Sequence, residues 1–103
     1  MPAWPDCWGR AIRITDERLA HVLTHPEMAR EEVRIAETLA RPDVVVQSGS
    51  DPEVRLYHRY YETSLVGAKH LCVVVKWRSD DAFLITAFFT DRPKRGSVLW
   101  TSE

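Results

Sequence analysis

The apolar residues of this chain change period once, at Arg41-Pro42-Asp43, and that change limits what the chain can become. Ahead of it, Leu19, Val22 and Leu23 follow Ile14 at near-helical spacing, with Thr15 placed to cap and Asp16 and Glu17 where a helix dipole favours acids. The spacing predicts a helix over about 16–24. Pro26 suits the first turn of a second helix and holds His25 extended, so the chain bends there. The second helix is predicted over about 27–40, turning Met28, Val33 or Ile35, Ala36 and Leu39 inward.

Behind the change the pattern is that of strands. Val44–Val46 is a β-branched run, residues 53–62 alternate, and Leu71–Trp77 and Phe83–Phe89 are strongly β-prone. Ser48-Gly49-Ser50-Asp51-Pro52 and Ser79-Asp80-Asp81 supply turns, and Val98-Leu99-Trp100 could add an edge strand able to support a homodimer in place of a monomer. Helices first and a meander afterwards predict an α+β fold, N-terminal helices packed on one face of a four-stranded antiparallel β-sheet. The other face is then free for a ligand. With 103 residues, 45% of them hydrophobic, the chain can bury one core, and residues 1–103 form a single domain.

Two cysteines, Cys7 and Cys72, make neither a disulfide framework nor a CxxC pair, which points to a reducing, cytoplasmic setting. The start Met1-Pro2-Ala3-Trp4-Pro5-Asp6 lacks the basic residues and apolar run of a signal peptide, and no stretch is long enough to span a membrane. A net charge of −1 hides an asymmetry: residues 1–53 carry six Lys/Arg against ten Asp/Glu, residues 54–103 eight against five. The second half is the natural partner for an anion.

His21 and His25 stand one helical turn apart, a spacing at which two imidazoles can share a metal. No Glu follows His21 as in HExxH, Pro26 bends the chain and no third ligand is evident, so neither metal nor cofactor is expected. His21 borders the apolar stripe, and an imidazole titrates near neutrality, as a general acid or base needs. Lys76 ends an apolar strand and can present a fixed cation at the sheet surface. Thr86 and Thr90 share a face with Leu84 and Phe88. Arg55, Tyr57 and Arg59 alternate on one strand face, a pattern suited to stacking a base and holding a phosphate. Glycine-rich phosphate loops, nucleophile elbows and paired-acid metal motifs are absent. His, Lys, Arg, Tyr and Thr suit RNA transesterification, in which a base removes the 2′-OH proton, cations stabilise the phosphorane and an acid protonates the leaving 5′-oxygen.

The segments Arg18–Glu27 (RLAHVLTHPE), Thr38–Val45 (TLARPDVV), Val73–Lys76 (VVVK) and Phe83–Phe88 (FLITAF), with Ser48 and Asp51-Pro52 between them, resemble the phage-associated barnase–EndoU–colicin E5/D–RelE-like (BECR fold) nuclease families over most of residues 10–100. The resemblance implies N-terminal helices on a four-stranded antiparallel sheet and a metal-independent endoribonuclease, a toxin or phage-conflict effector, with RNA as substrate and a cognate inhibitor or antitoxin as partner. Matched position by position, His21, Lys76 and Thr86 are the implied catalytic residues. His25, Arg55, Tyr57, Arg59 and Thr90 are expected around the substrate. Phe88 departs from the pattern, standing where a tyrosine is expected after Thr86-Ala87. A non-catalytic RNA- or protein-binding module is the alternative.

Overall fold

The computed structural model describes residues 2–103; Met1 lies outside them. Two strands precede the first helix, β1 (Ala3–Pro5) and β2 (Ala11–Arg13), paired antiparallel with Trp4 opposite Ile12. Asp6 closes the loop between them, its Oδ1 accepting from the backbone N–H groups of Trp8 at 3.0 Å and Arg10 at 2.9 Å. This carboxylate takes the place of the long repeating pattern that normally defines a strand pair.

Helix α1 (Asp16–Leu23) is capped by Thr15, whose hydroxyl accepts from Arg18 N at 3.1 Å. The second helical segment differs from the sequence expectation. Pro26–Met28 makes one 3-10 turn behind an extended His25 (φ −72°, ψ 126°), and α2 (Glu32–Ala40) begins only at Glu32. Proline starts a turn well, and Met28, fully buried, anchors this one to the core before the chain breaks and restarts. In α2, Ile35 and Leu39 are buried and Val33 is 79% exposed.

Strands β3 (Val44–Ser48), β4 (Val54–Tyr61), β5 (Lys69–Trp77), β6 (Ala82–Thr90) and β7 (Gly96–Thr101) complete one sheet in the order β1-β2-β6-β5-β4-β3-β7. The four-stranded antiparallel sheet expected from the sequence is thus corrected to a curled, mixed, mostly β architecture of seven strands with two short helices. It is mixed because β2 joins β6 in parallel, through Arg13 and Phe83. Of the additional strands, β1 and β2 escape a periodicity argument because they have three residues each, whereas β7 contains the edge strand expected at Val98-Leu99-Trp100 and pairs with β3.

The core fills the space between the helices and one sheet face. Ile12 and Ile14 meet Val22, Met28, Ile35 and Leu39 over Val45, Tyr57, Leu71, Val73, Val75 and Leu84, all fully buried. Strand alternation then assigns their neighbours, among them His58, His70, Cys72, Lys76 and Phe88, to the opposite face. Among the described residues no helix is long and apolar enough to cross a membrane.

Gly96 opens β7 where the backbone of β3 comes closest. A β-carbon there would overlap the carbonyl oxygen of Gln47, which is backbone and cannot swing aside. Gly96→Ala is therefore expected to cost about 1–3 kcal/mol, as overpacking does. Hydrogen exchange should locate the loss in β7, whose amides should lose protection before those of β5.

Candidate functional site

The sheet separates the residues that the sequence grouped. His21 and His25 lie on the helical side, both exposed, their rings edge to face with centroids 5.8 Å apart. Val22, not His21, enters the core. Lys76 and Thr86 lie on the face opposite the helices, Thr86 across from Val74. The expected trio of His21, Lys76 and Thr86 is therefore not brought together: the sheet stands between the imidazole and the other two. A register shift between Val74 and Val75 also separates Leu84, set opposite Val75 on the core face, from Thr86. Strict alternation would have kept them together.

Lys76 is already engaged. Its Nζ lies 2.7 Å from Asp51 Oδ2 and 3.5 Å from Glu53 Oε1, and the ammonium holds the Asp51 carboxyl below the usual carboxylate range. Arg59 lies 3.5 Å from Glu37 and donates to the Arg41 carbonyl at 2.6 Å. Tyr57 is fully buried, its hydroxyl donating to Asp6 Oδ2 at 2.7 Å, and it offers no surface for stacking a base. Burial, then the hydrogen bond to Asp6, pushes that phenol far above its ordinary pKa. Arg55 lies over the rings of Trp77 and Trp8, 3.6 Å and 4.7 Å from their centroids.

The face away from the helices, buried at His58 and Cys72 but open at its Tyr60 end, carries a different group of polar residues. His70 on β5 stands between Tyr60 on β4 and Thr90 on β6, each its direct cross-strand neighbour, and its ring centroid is 5.1 Å from that of Tyr60. The Nδ1 atom of His70 is buried without a hydrogen-bond partner. His58, fully buried, accepts at Nε2 from the backbone N–H of Lys94 at 3.0 Å. Burial, and after it the charge of His70, pushes the His58 pKa down to about 4, so it is a neutral acceptor at neutral pH.

That bond pins the loop joining β6 to β7 over the open face. Asp91 of the loop pairs with Lys69. Arg92, Lys94 and Arg95 are exposed and have no acidic partner among the described residues, and Lys94 Nζ lies 5.3 Å from the Phe88 ring centroid. Cations without acidic partners and a half-buried imidazole thus share this side of the sheet.

Other chemistries have less support. Burial raises the thiols of Cys7 and Cys72 to about 11 and about 12, which leaves little thiolate at neutral pH. Among the described residues no group of three or more His, Cys, Asp or Glu converges as a metal site. Of the sequence-derived site residues, Thr90 alone adjoins the histidine cluster. A strand taken to begin at Leu71 leaves His70 outside it, whereas β5 begins at Lys69. His58 was legible as a strand residue, but its contact with Lys94 spans 36 positions and no local pattern signals it. Comparison with known protein families, curated proteins and solved structures finds no match to this chain.

Proposed function

We propose that this protein acts on single-stranded RNA as a metal-independent endoribonuclease, with the open sheet face as its working surface. The observation that carries the reading is the placement of the half-buried His70 imidazole, whose Nδ1 is buried without a partner, beside Tyr60 and Thr90 on the face where Arg92, Lys94 and Arg95 lack acidic partners. The loop cations attract the phosphates and Tyr60, 46% exposed, offers a ring to a base. The His70 imidazole takes the 2′-OH proton and the 2′-oxygen attacks the adjacent phosphorus. The P–O5′ bond breaks, the Tyr60 hydroxyl gives its proton to the leaving oxygen, and a 2′,3′-cyclic phosphate remains. The short segments that resemble the nuclease families suggest the same chemistry, with His70 in the role expected of His21. A toxin or phage-conflict role, in the cytoplasm and held in check by an inhibitor protein, fits such an activity.

The engagement of Lys76 by two carboxylates favours a second reading, a module that binds RNA without cutting it. Binding and cleavage separate the two. Reversing Arg92, Lys94 and Arg95 to glutamate is expected to weaken binding of a uridine oligonucleotide. Its log-affinity against log-salt slope should fall by about 2, since each single-strand phosphate contact contributes about 0.7. An unchanged slope rules out the loop as the phosphate contact. Chelator-resistant cleavage leaving cyclic phosphate ends separates the nuclease from the module.

A further inference from the structure

Among the described residues seven Lys and Arg side chains are half-buried, and six of them have an oxygen partner. Arg13 meets Asp81, Arg34 meets Glu31, Arg59 meets Glu37, Lys69 meets Asp91, Lys76 meets Asp51, and Arg10 donates to the Arg78 carbonyl. Arg55 is the exception: among the described residues its guanidinium has neither a carboxylate nor a carbonyl. Its N–H groups are also not sealed from solvent, unlike Nε of Arg59.

The guanidinium is nevertheless held in place. It packs over Trp77 and Trp8, whose planes meet at 67°, so that two indoles form a corner around it. Asp6 fixes both walls, accepting from Trp8 N at 3.0 Å and from Trp77 Nε1 at 3.4 Å, and its remaining capacity goes to Tyr57 and Arg10 N. The nearby carboxylate is thus occupied by other donors. Arg10, 4.2 Å from the Trp77 ring centroid, brings a second positive charge against one buried negative one.

A guanidinium immobilised by aromatic faces, with its edge donors unspent, suits bidentate capture of an oxyanion. Trp8, 41% exposed, offers an aromatic surface beside it. We infer that Arg55, cornered by Trp8 and Trp77, is a binding site for one nucleotide unit, with the phosphate on the guanidinium and the base against Trp8. The site lies at the helix-side end of the sheet, on the opposite face from His70, and needs no cleavage chemistry. It is therefore separate from the proposed ribonuclease surface, and absence of cleavage would leave it untouched.

The test is an NMR titration of the full chain, following the Trp8 indole N–H and the Arg55 Nε–H, with uridine monophosphate, uridine, inorganic phosphate and a short uridine oligonucleotide. Uridine monophosphate is expected to bind about tenfold more tightly than uridine or phosphate, since stacking and ion pairing contribute together. Arg55→Gln should reduce it to the level of uridine, and Trp8→Ala to that of phosphate. Arg55→Lys keeps the charge and loses the fork, so it should still weaken binding severalfold if the larger changes disturb folding. Oligonucleotide binding lost in the same variants identifies an RNA unit; mononucleotide binding alone identifies a free nucleotide, and either supports the site. Uridine monophosphate binding no tighter than uridine, or unaffected by all three substitutions, overturns it.

Discussion

Asp6→Ala is expected to destabilise the protein by about 3–5 kcal/mol, the range for breaking a buried polar network around a carboxylate. Asp6 is 4% exposed and receives four donors, the N–H groups of Trp8 and Arg10 on one oxygen and Tyr57 Oη and Trp77 Nε1 on the other. Removing the carboxylate strands the Tyr57 hydroxyl in the core and unties the β1–β2 loop. Tyr57→Phe leaves the other three donors in place and should cost only about 1–2 kcal/mol. Urea unfolding of the two variants checks both the size and the order. Equal effects would mean that the loop is held by something other than Asp6.

Acid is expected to weaken the fold before the carboxylates titrate. His58 has a pKa of about 4 in the folded protein against an ordinary 6.5, so the unfolded chain takes up the proton first. The stability that comes from keeping His58 neutral is full above pH 6.5 and is lost as the pH falls toward 4. A drop of this size corresponds to about 3 kcal/mol. The acids whose pKa values are lowered, Asp51, Asp81, Asp91 and Glu37, add their losses from about pH 5 downward, as the pH falls through the usual carboxylate range toward their lowered values. Stability measured by denaturant between pH 7 and 5 therefore precedes most of the carboxylate losses, and His58→Gln should flatten the slope there. Protonated Nε2 can no longer accept from Lys94 N, so amide exchange in residues 91–95 should accelerate over the same range.

The helical period brought Val22 and Leu39 to light as core residues and Thr15 as a cap, and left Val33 and Ile35 as alternatives, of which Ile35 is the buried one. Alternation placed Tyr57 and His58 on opposite faces of one strand. The sequence held far less about what surrounds them. A loop closed by one aspartate carries no periodic signal, yet Asp6 organises Tyr57 and Trp77, 51 and 71 positions away. The same holds for charge: Lys76 read as a free cation because Asp51 and Glu53 approach it only when β4 pairs with β5. His21 and Lys76 could not be assigned to opposite sides without knowing which face of β5 receives the helices. Local pattern is settled by neighbours three or four residues away; a site depends on contacts across the sheet.

Cleavage of a 5′-labelled single-stranded RNA in the presence of chelator, by wild type, His70→Ala and His21→Ala, tests the central claim directly. Wild type and His21→Ala should both yield 2′,3′-cyclic phosphate ends, while His70→Ala should lose about 10²–10⁴-fold in rate, the usual contribution of a general acid or base. Cleavage that survives in His70→Ala and disappears in His21→Ala would contradict the assignment of the open sheet face.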